Sequence, residues 1–423
     1  MHIFFSGIGG TGIGPLALIA RQAGYKVSGS DKQGSKYIEY LRSKGIESVQ
    51  IGQTTAQIQG LHSQTPIDWL VYSSAIAIEN PDHPELVFAR ENNIKSTKRD
   101  ELLNKIIEDS GQKLIAIAGT HGKTTTTAMA IWLFKQLGIP VSYSVGAKIP
   151  FGEMGSFDES AEYFIYECDE YDRNFLAFRP HLSLVSGIAH DHHDIYPTEA
   201  QYNQAFVKFL EQSNSKIMWN TDAEKLDLKN AVVLNSNDPT IEEINLAGKV
   251  NRLDACLVVK AVQRLTNKPL EDLVRVASQF PGVSRRFEQI APNLYTDYAH
   301  TPEKIAGCLQ LAREVSKDVV VIYEPLTNKR QYAIRDSYKD LFEGVKKLYW
   351  VPSYLTREDP GQPVLSPVEL IESMDNSEIA EPAELNDGLQ KKINQHLQAG
   401  DMVVCLSGGG GGSLDEWLRQ KFA

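Results

Sequence analysis

The sequence predicts an α/β protein of three domains, on three observations. Apolar segments of strand length alternate with helical patterns along the chain. Two of these strands run into glycine-rich loops, at residues 7–14 and 119–124, and each loop leads into a helix. The length of 423 residues also suggests three domains at roughly 150 residues each.

Residues 1–110 form the first predicted domain. The expected strands are His2–Ser6, Tyr25–Ser30 and Trp69–Ser73, and the expected helices are Pro15–Ala23 and Lys98–Ser110. Because helices alternate with strands here, the sheet is expected to be parallel.

Residues 111–281 form the second predicted domain and residues 282–423 the third, with the break at the Phe280-Pro281-Gly282 turn. The second domain is expected to contain strands Lys113–Ala118, Tyr163–Glu167 and Leu182–Ile188 and helices Thr125–Leu137, Tyr202–Glu211 and Leu253–Leu265. The third is expected to contain strands Leu294–Asp297, Val319–Tyr323 and Met402–Leu406 and helix Pro302–Val315.

The composition, with 42% hydrophobic and 23% charged residues, is that of a globular protein and excludes a disordered chain or a fibrous repeat. The 43 basic and 54 acidic side chains leave a formal charge of −11. Binding to nucleic acid or to an anionic membrane needs clustered lysine and arginine. The acidic balance therefore argues against a general affinity for either.

The cysteines and the apolar segments indicate the compartment. The four cysteines lie far apart without a CxxC pair, which argues against a disulfide framework or a zinc ribbon. The first residues lack a basic segment, and no stretch approaches the roughly 18 apolar residues of a membrane span. A cytoplasmic protein without membrane insertion is therefore expected.

The first glycine-rich loop, Gly7-Ile8-Gly9-Gly10-Thr11-Gly12, matches the pattern GxGxxG, and Asp31 stands at the end of the next strand. Small residues let backbone N–H groups and a helix N-terminus approach a diphosphate. The motif alone fits a nicotinamide dehydrogenase, another nucleotide-diphosphate ligand or merely a tight turn.

The second loop, Gly119-Thr120-His121-Gly122-Lys123-Thr124-Thr125, is the most informative stretch. Its backbone amides and the ammonium of Lys123 can hold β- and γ-phosphates, and the hydroxyl of Thr124 can ligate Mg²⁺. The loop departs from the general P-loop pattern, because Ile117 replaces a glycine. A chain with two such loops is not a simple dehydrogenase.

Acidic and histidine clusters follow two strands of the second domain. The first contains Glu167, Asp169, Glu170 and Asp172, and the second is His190-Asp191-His192-His193-Asp194. Both are expected near the phosphates, where they would hold a divalent ion, unless they are solvated acidic loops. A dinuclear zinc site of the HxHxDH type is disfavoured, since Ile195 breaks that pattern.

Two motifs in the third domain carry candidate residues. Arg285 and Arg286 follow the domain break and can stabilise a transferring phosphoryl group, unless they are ordinary surface arginines. Asp297 and His300 follow a strand, so that Asp297 can hold a ribose and His300 a phosphate or an acyl group. Thr301 is expected to cap the helix that Pro302 begins.

In this order along the chain, these motifs resemble the Mur ligase family, and the resemblance covers essentially all residues. It implies three domains: a Rossmann-like UDP-sugar domain (1–110), a central P-loop ATPase with a mostly parallel sheet (111–281) and a C-terminal Rossmann-like domain (282–423). It further implies an amide-forming ligase that uses ATP and Mg²⁺ and proceeds through an acyl phosphate.

The resemblance also implies a role for each matching residue. The catalytic set would be Lys123, Glu167, His192, Arg286 and His300, and the metal ligands would be Thr124, Glu167 and His192. The nucleotide would contact Gly119, Thr120, His121, Gly122, Lys123, Thr124, Thr125, Asn251, Arg285 and Asp297. The UDP-sugar would contact Gly9, Gly10, Thr11, Gly12, Asp31, Ser73 and Ser74.

The chain departs from the family pattern at several positions. Val250 precedes Asn251 where the family has histidine, and Asp254 replaces a second asparagine, so adenine recognition is expected to differ. Gly187 replaces an asparagine. Some relatives carry a carbamylated lysine after the histidine cluster; Asn203 stands near that place, and the modification is not expected here.

The first-domain motifs resemble the family members that join L-alanine to UDP-N-acetylmuramate in peptidoglycan precursor synthesis, and this is the expected reaction. The segment Glu324-Pro325-Leu326-Thr327-Asn328 instead resembles members that couple a tripeptide to the same sugar during cell-wall recycling. A nicotinamide-dependent oxidoreductase is the alternative of another class, but it leaves the second loop unexplained. The expected partners are small molecules, and the chain is expected to be a monomer or a weak homodimer.

Overall fold

The computed structural model describes residues 1–10, 12–73, 76–77, 80–192, 195–356 and 358–422. The chain divides into two compact units, Met1–Glu243 with Asp254–Phe280 and Ile244–Leu253 with Pro281–Ala423. Three separate, mostly parallel sheets confirm the predicted α/β class. The domain boundaries at residues 110 and 281 stay predictions.

The first sheet contains five parallel strands in the order β3-β2-β1-β4-β5. Its strands are β1 (His2–Ser6), β2 (Lys26–Asp31), β3 (Val49–Ile51), β4 (Trp69–Tyr72) and β5 (Lys95–Lys98). Its helices are α1 (Gly14–Gln22), α2 (Lys36–Ser43), α3 (Thr55–Gln64), α4 (Pro84–Glu91) and α5 (Arg99–Ser110). The strand order reverses between β1 and β4, and ligands of such sheets bind beside this point.

The second sheet contains seven strands in the order β12-β11-β10-β6-β9-β7-β8, and only the β7–β8 pair is antiparallel among them. The strands are β6 (Lys113–Ala118), β7 (Val141–Ser144), β8 (Gly155–Ser156), β9 (Tyr163–Glu167), β10 (Leu182–Val185), β11 (Ser215–Trp219) and β12 (Val232–Leu234). The helices are α6 (Lys123–Gln136), α7 (Glu199–Glu211), α8 (Asn220–Lys225), α9 (Thr240–Glu243), α10 (Lys249–Thr266) and α11 (Leu270–Ala277).

The third sheet contains six strands in the order β13-β14-β18-β15-β16-β17, and β13 alone runs antiparallel to its neighbour. The strands are β13 (Glu288–Ala291), β14 (Leu294–Asp297), β15 (Val319–Glu324), β16 (Lys347–Trp350), β17 (Ala380–Pro382) and β18 (Met402–Ser407). The helices are α12 (Pro302–Val315), α13 (Asn328–Ile334), α14 (Pro367–Ile371), α15 (Asp387–Gln398) and α16 (Leu414–Phe422).

The predicted elements are present, with small shifts at their ends. The largest shift is in α10, which begins at Lys249 rather than at Leu253. Strand β10 ends at Val185 rather than at Ile188. Gly187 has a φ of +155°, outside the range of a strand, so the chain turns away from the sheet there. Within the described ranges, none of the helices combines the length and the apolar character that crossing a membrane requires.

An aromatic cluster fills the core on one face of the third sheet. It consists of Tyr323, Tyr338, Phe342 and Trp350, which are fully buried and pack edge-to-face or stacked with one another. The hydroxyls of Tyr323 and Tyr338 lie 2.9 Å apart and form a hydrogen bond. The polar atoms of the two tyrosines are therefore satisfied inside the core.

Replacing Phe342 with alanine is expected to lower the free energy of unfolding of the second compact unit by roughly 3–5 kcal/mol, because a large buried ring is lost and a cavity is left. Urea denaturation followed by circular dichroism measures the change. Val315→Ala is the control, since Val315 is exposed and its truncation should change stability by less than about 0.5 kcal/mol. Equal effects of the two substitutions would contradict the account of this core.

Candidate active site

The loop that joins β6 to α6 is the centre of the candidate site, and close contacts require its glycines. Gly119 has a φ of +139° and Gly122 a φ of +77°. A Cβ atom at Gly119 would lie 2.5 Å from Oγ of Ser186, and one at Gly122 would lie 2.9 Å from the Asp254 carboxylate. The loop therefore turns tightly into α6, and the start of a helix favours an anion through its first backbone N–H groups and its dipole.

The ammonium of Lys123, the first residue of α6, is held by two oxygen atoms. It donates to the carbonyl of Gly119 at 2.6 Å and to Oε2 of Glu170 at 2.7 Å. Oδ1 of Asp169 lies farther away, at 4.0 Å. Glu170 is only 1% exposed, so this ion pair is largely withdrawn from bulk water.

Burial and charge act against each other in this pair, and charge prevails. Burial alone would lower the pKa of Lys123, but the carboxylates of Glu170 and Asp169 raise it above its ordinary value. Burial alone would raise the pKa of Glu170, but Lys123 and His192 hold it well below its usual range. Lys123 is therefore an ammonium and Glu170 a carboxylate at neutral pH.

Thr124 and Glu167 form a second polar pair beside Lys123. The hydroxyl of Thr124 donates to Oε1 of Glu167 at 2.8 Å, and the backbone N–H of Gly146 donates to Oε2 at 2.7 Å. The structure thus brings together the two residues that were predicted to share one Mg²⁺. A hydroxyl and a carboxylate are hard oxygen donors of the kind that Mg²⁺ prefers.

His192 follows β10, and its imidazole faces Glu170. Nε2 of His192 lies 3.5 Å from Oε1 of Glu170. One ligand atom from each of Asp169, Glu170 and His192 lies within 4.8 Å of the other two, so the three could hold a metal ion. The two predicted clusters therefore meet where β9 and β10 end. Their metal-binding roles stay predictions, and residues 193 and 194 lie outside the described residues.

The position of Glu170 opposite Lys123 was not predicted. The sequence contains a run of four carboxylates after β9, and their spacing does not tell which one faces the ammonium. Two further hydrogen bonds hold Glu170 in this position. The hydroxyl of Tyr202 donates to its Oε1 at 3.1 Å, and the hydroxyl of Tyr196 donates to its carbonyl oxygen at 2.7 Å. The aromatic residues that hold this loop carry no recognisable motif.

The first glycine-rich loop is fastened to the end of β2. The backbone N–H of Gly9 donates to Oδ2 of Asp31 at 2.8 Å, and that of Gly10 to the carbonyl of Gly7 at 3.1 Å. Gly7 has a φ of +78°. Asp31 thus orders the loop, and its predicted contact with the UDP-sugar stays a prediction. Ser73 lies 3.7 Å from a Cβ built at Gly7, whereas Thr11 and Ser74 lie outside the described residues.

The two loops share a cavity within the first compact unit. The cavity has a volume of 210 Å³, and its walls include Gly12 from the first loop together with Lys123, Gly146, Glu167 and Asp169. A ligand held by the first loop therefore has access to the ammonium of Lys123.

The residues that the family resemblance associates with adenine lie at the start of α10. Val250 is 47% exposed, and Nδ2 of Asn251 donates to the carbonyl of Ala247 at 2.9 Å. Asp254 is buried, and burial raises its pKa well above the usual range. The contacts of Asn251 with a nucleotide stay a prediction.

The two predicted arginines meet at one end of the third sheet. Nη2 of Arg285 donates to the carbonyls of Ser407 and Gly409 at 2.9 and 2.8 Å. The guanidinium groups of Arg285 and Arg286 lie 4.8 and 5.0 Å from the centre of the Tyr298 ring. Both charges are thus concentrated around one aromatic ring, as in a cation–π arrangement.

Asp297 and His300 lie beside these arginines, and both are already bonded to the backbone. Asp297 accepts hydrogen bonds from the N–H groups of Phe287 and Ala299, each at 2.7 Å. Nδ1 of His300 donates to the carbonyl of Tyr298 at 2.7 Å. Burial lowers the pKa of His300 well below its usual value, so its other nitrogen is an acceptor.

The helix that follows confirms one expectation and corrects another. Pro302 begins α12, as predicted. Thr301 occupies the position before the helix but makes no capping hydrogen bond with its side chain, and its buried hydroxyl has no partner within the described residues. The predicted cap was therefore wrong, because the hydroxyl of Thr301 does not reach the backbone N–H groups of the first turn.

A buried carboxylate, Glu324, stands at the end of β15, and the sequence predicted no separate role for it. It accepts a hydrogen bond from the hydroxyl of Ser407 at 2.6 Å and one from the N–H of Leu414 at 3.0 Å. Thr327 has a φ of +55°, which is rare for a β-branched residue and indicates local strain.

Comparisons with known proteins agree with this geometry. The family model described as "Mur ligase family, catalytic domain" matches residues 2–110, and that described as "Mur ligase middle domain" matches residues 117–255. The UDP-N-acetylmuramate–L-alanine ligase of Clostridium acetobutylicum is 28% identical, and the match covers 99% of this chain and 97% of that protein. The enzyme of the same name from Salinispora arenicola is 30% identical, with coverage of 81% and 72%.

Solved structures share the fold. The UDP-N-acetylmuramate-alanine ligase of Thermotoga maritima matches with a TM-score of 0.76 at 22% identity, covering 100% of this chain and 98% of that one. The murein peptide ligase of Psychrobacter arcticus matches over the same shares with a TM-score of 0.64, also at 22% identity. The chain belongs to the Mur ligase family, and it is an ATP-dependent ligase that forms carbon–nitrogen bonds.

Proposed function

We propose that this enzyme joins the carboxylate of UDP-N-acetylmuramate to the amine of L-alanine, with ATP as the source of energy and Mg²⁺ as the metal, in peptidoglycan precursor synthesis. The observation that carries the proposal is the shared cavity. A glycine loop suited to a diphosphate and a lysine suited to a γ-phosphate line one cavity of 210 Å³, as a phosphoryl transfer to a UDP-sugar requires.

The choice of amine rests on the curated relatives. Three relatives with 28–30% identity are each named UDP-N-acetylmuramate–L-alanine ligase, and they match most of the length of this chain. A tripeptide acceptor, as in cell-wall recycling, is the second candidate, because the segment Glu324–Asn328 resembles that of ligases with such an acceptor. The curated relatives do not favour it. Because the chain is a ligase, the nicotinamide oxidoreductase alternative has no remaining support.

The chemistry proceeds in two steps. A carboxylate oxygen of the sugar attacks the γ-phosphorus of ATP, an O–P bond forms, and ADP leaves. The amine then attacks the acyl carbon, the C–N bond forms, the C–O bond breaks, and phosphate leaves with the electron pair while the amine loses a proton. Lys123 holds the transferring phosphoryl group, and its pairing with Glu170 keeps it charged and aimed before the nucleotide binds.

The proposed Mg²⁺ would be held by Thr124 and Glu167, with His192 as a ligand of a second ion. Their hydroxyl, carboxylate and imidazole groups fit the role, and Mg²⁺ would neutralise charge on the phosphate oxygens. Gly146 supports this set, because its backbone N–H fixes the orientation of the Glu167 carboxylate.

The acceptor is identified by phosphate release in the presence of UDP-N-acetylmuramate, ATP and Mg²⁺, with L-alanine, L-serine, glycine or the L-Ala-D-Glu-diamino-acid tripeptide. We expect the fastest release with L-alanine. Release with the tripeptide alone would replace the first candidate with the second. Release with none of the acceptors would contradict both candidates, provided that the protein is folded.

Lys123→Ala is expected to slow phosphate release by roughly 10²- to 10³-fold, because a cation that stabilises the transferring phosphoryl group is removed. Glu170→Gln keeps the shape of the partner but removes its charge, and a smaller loss of roughly tenfold is expected. Steady-state kinetics with saturating substrates measures both effects.

The matched control is Lys135→Ala on the same helix. Its ammonium donates to the carbonyl of Phe151 at 2.9 Å and does not line the cavity. It should retain near wild-type turnover. A Lys123→Ala enzyme as fast as the wild type would show that the loop does not hold the reacting phosphate.

A further inference from the structure

Arg99, the first residue of α5, lines the cavity that the two loops share. The sequence predicted no functional role for this residue. It is the second basic residue of the cavity wall within the described residues, after Lys123. Its side chain is 30% exposed. The cavity therefore presents two cations to one ligand.

The guanidinium of Arg99 is held by charge but not by hydrogen bonds. Its Nε lies 3.6 Å from Oδ1 of Asp100, and its Nη2 lies 3.8 Å from Oδ2 of Asp169. These separations exceed hydrogen-bond length, and no hydrogen bond from this guanidinium forms within the described part of the chain. The guanidinium can therefore donate hydrogen bonds to an anion in the cavity that it lines.

The guanidinium of Arg99 lies against the backbone of Gly12 in the first loop. A Cβ atom built at Gly12 would collide with Nη1 of Arg99. The predicted contact of Gly12 with a diphosphate stays a prediction, and the absent side chain also leaves space for the guanidinium. The guanidinium of Arg99 therefore lies beside the first loop, in the wall of the cavity that Gly12 and Lys123 also line.

We propose that Arg99 is a substrate-binding residue that holds the reacting carboxylate of the nucleotide sugar and then the acyl oxygen of the acyl phosphate. The proposal rests on the proposed function, since it names the group that binds one part of the same substrate. Lys123 takes the phosphoryl end and Arg99 the acyl end. A planar guanidinium matches a carboxylate in a bidentate fashion.

Arg99 also has a part in the second step. When the amine attacks the acyl carbon, the carbonyl oxygen gains a negative charge, which collapses as the C–O bond to phosphate breaks. A guanidinium already bonded to that oxygen stabilises this charge without reorganisation. Removal of Arg99 should therefore lower kcat as well as weaken substrate binding.

The test compares binding of UDP-N-acetylmuramate with that of UDP-N-acetylglucosamine, which lacks the carboxylate. We expect Arg99→Met to weaken binding of the first by roughly 10- to 100-fold and to change binding of the second by less than about twofold. Isothermal titration calorimetry without ATP gives this readout independently of turnover. The matched control is Lys98→Met, which removes a neighbouring cation that pairs with Asp172 outside the cavity and should leave both affinities unchanged.

Three results would overturn the role of Arg99: equal affinities of the wild type for the two sugars, an Arg99→Met protein that discriminates as well as the wild type, or equal losses with Lys98→Met. If Arg99→Met does not fold, Arg99→Lys decides, because it keeps the charge but loses the planar fork. Reduced discrimination then supports the proposal, and unchanged discrimination overturns it. A folded wild type that binds neither sugar would instead contradict the proposed function itself.

Discussion

The buried ion pair between Lys123 and Glu170 is the constraint on which the rest of the site depends. A lysine at the start of a helix faces the positive end of the helix dipole, which disfavours its charge. Burial disfavours it further. Glu170 offsets both effects at 2.7 Å. Breaking such a pair by removing one partner leaves an uncompensated buried charge, so each partner requires the other.

Several elements contribute to this pair and its surroundings at one edge of the second sheet. Glu170 follows β9, His192 follows β10, and Lys123 follows β6, which lies between these two strands. Tyr202 reaches the same carboxylate from α7. Neighbouring parallel strands end at a common edge, so residues far apart in the sequence meet there. The Thr124–Glu167 pair lies beside this centre and would be aimed at the same phosphates.

Much of this could be predicted from the sequence, because local patterns determine it. The order of strand, loop and helix around Gly119–Lys123 identified the loop, and alternating elements identified the fold class. Glu170 and Arg99 could not be assigned in this way. Which of several carboxylates faces an ammonium depends on the twist of a loop, and a guanidinium beside Gly12 depends on how α5 packs near the first loop. Thr301 shows that a favourable residue type alone does not make a helix cap.

In the proposed mechanism, a carboxylate oxygen of the sugar attacks the phosphorus held by Lys123. The most direct test uses UDP-N-acetylmuramate labelled with oxygen-18 in its carboxylate, turned over with ATP and L-alanine, and mass spectrometry of the phosphate released. Each phosphate should carry one oxygen-18 atom, because the bond between that oxygen and the acyl carbon breaks in the second step. Unlabelled phosphate, released as fast as product forms, would contradict the account, since no acyl phosphate would then lie on the path.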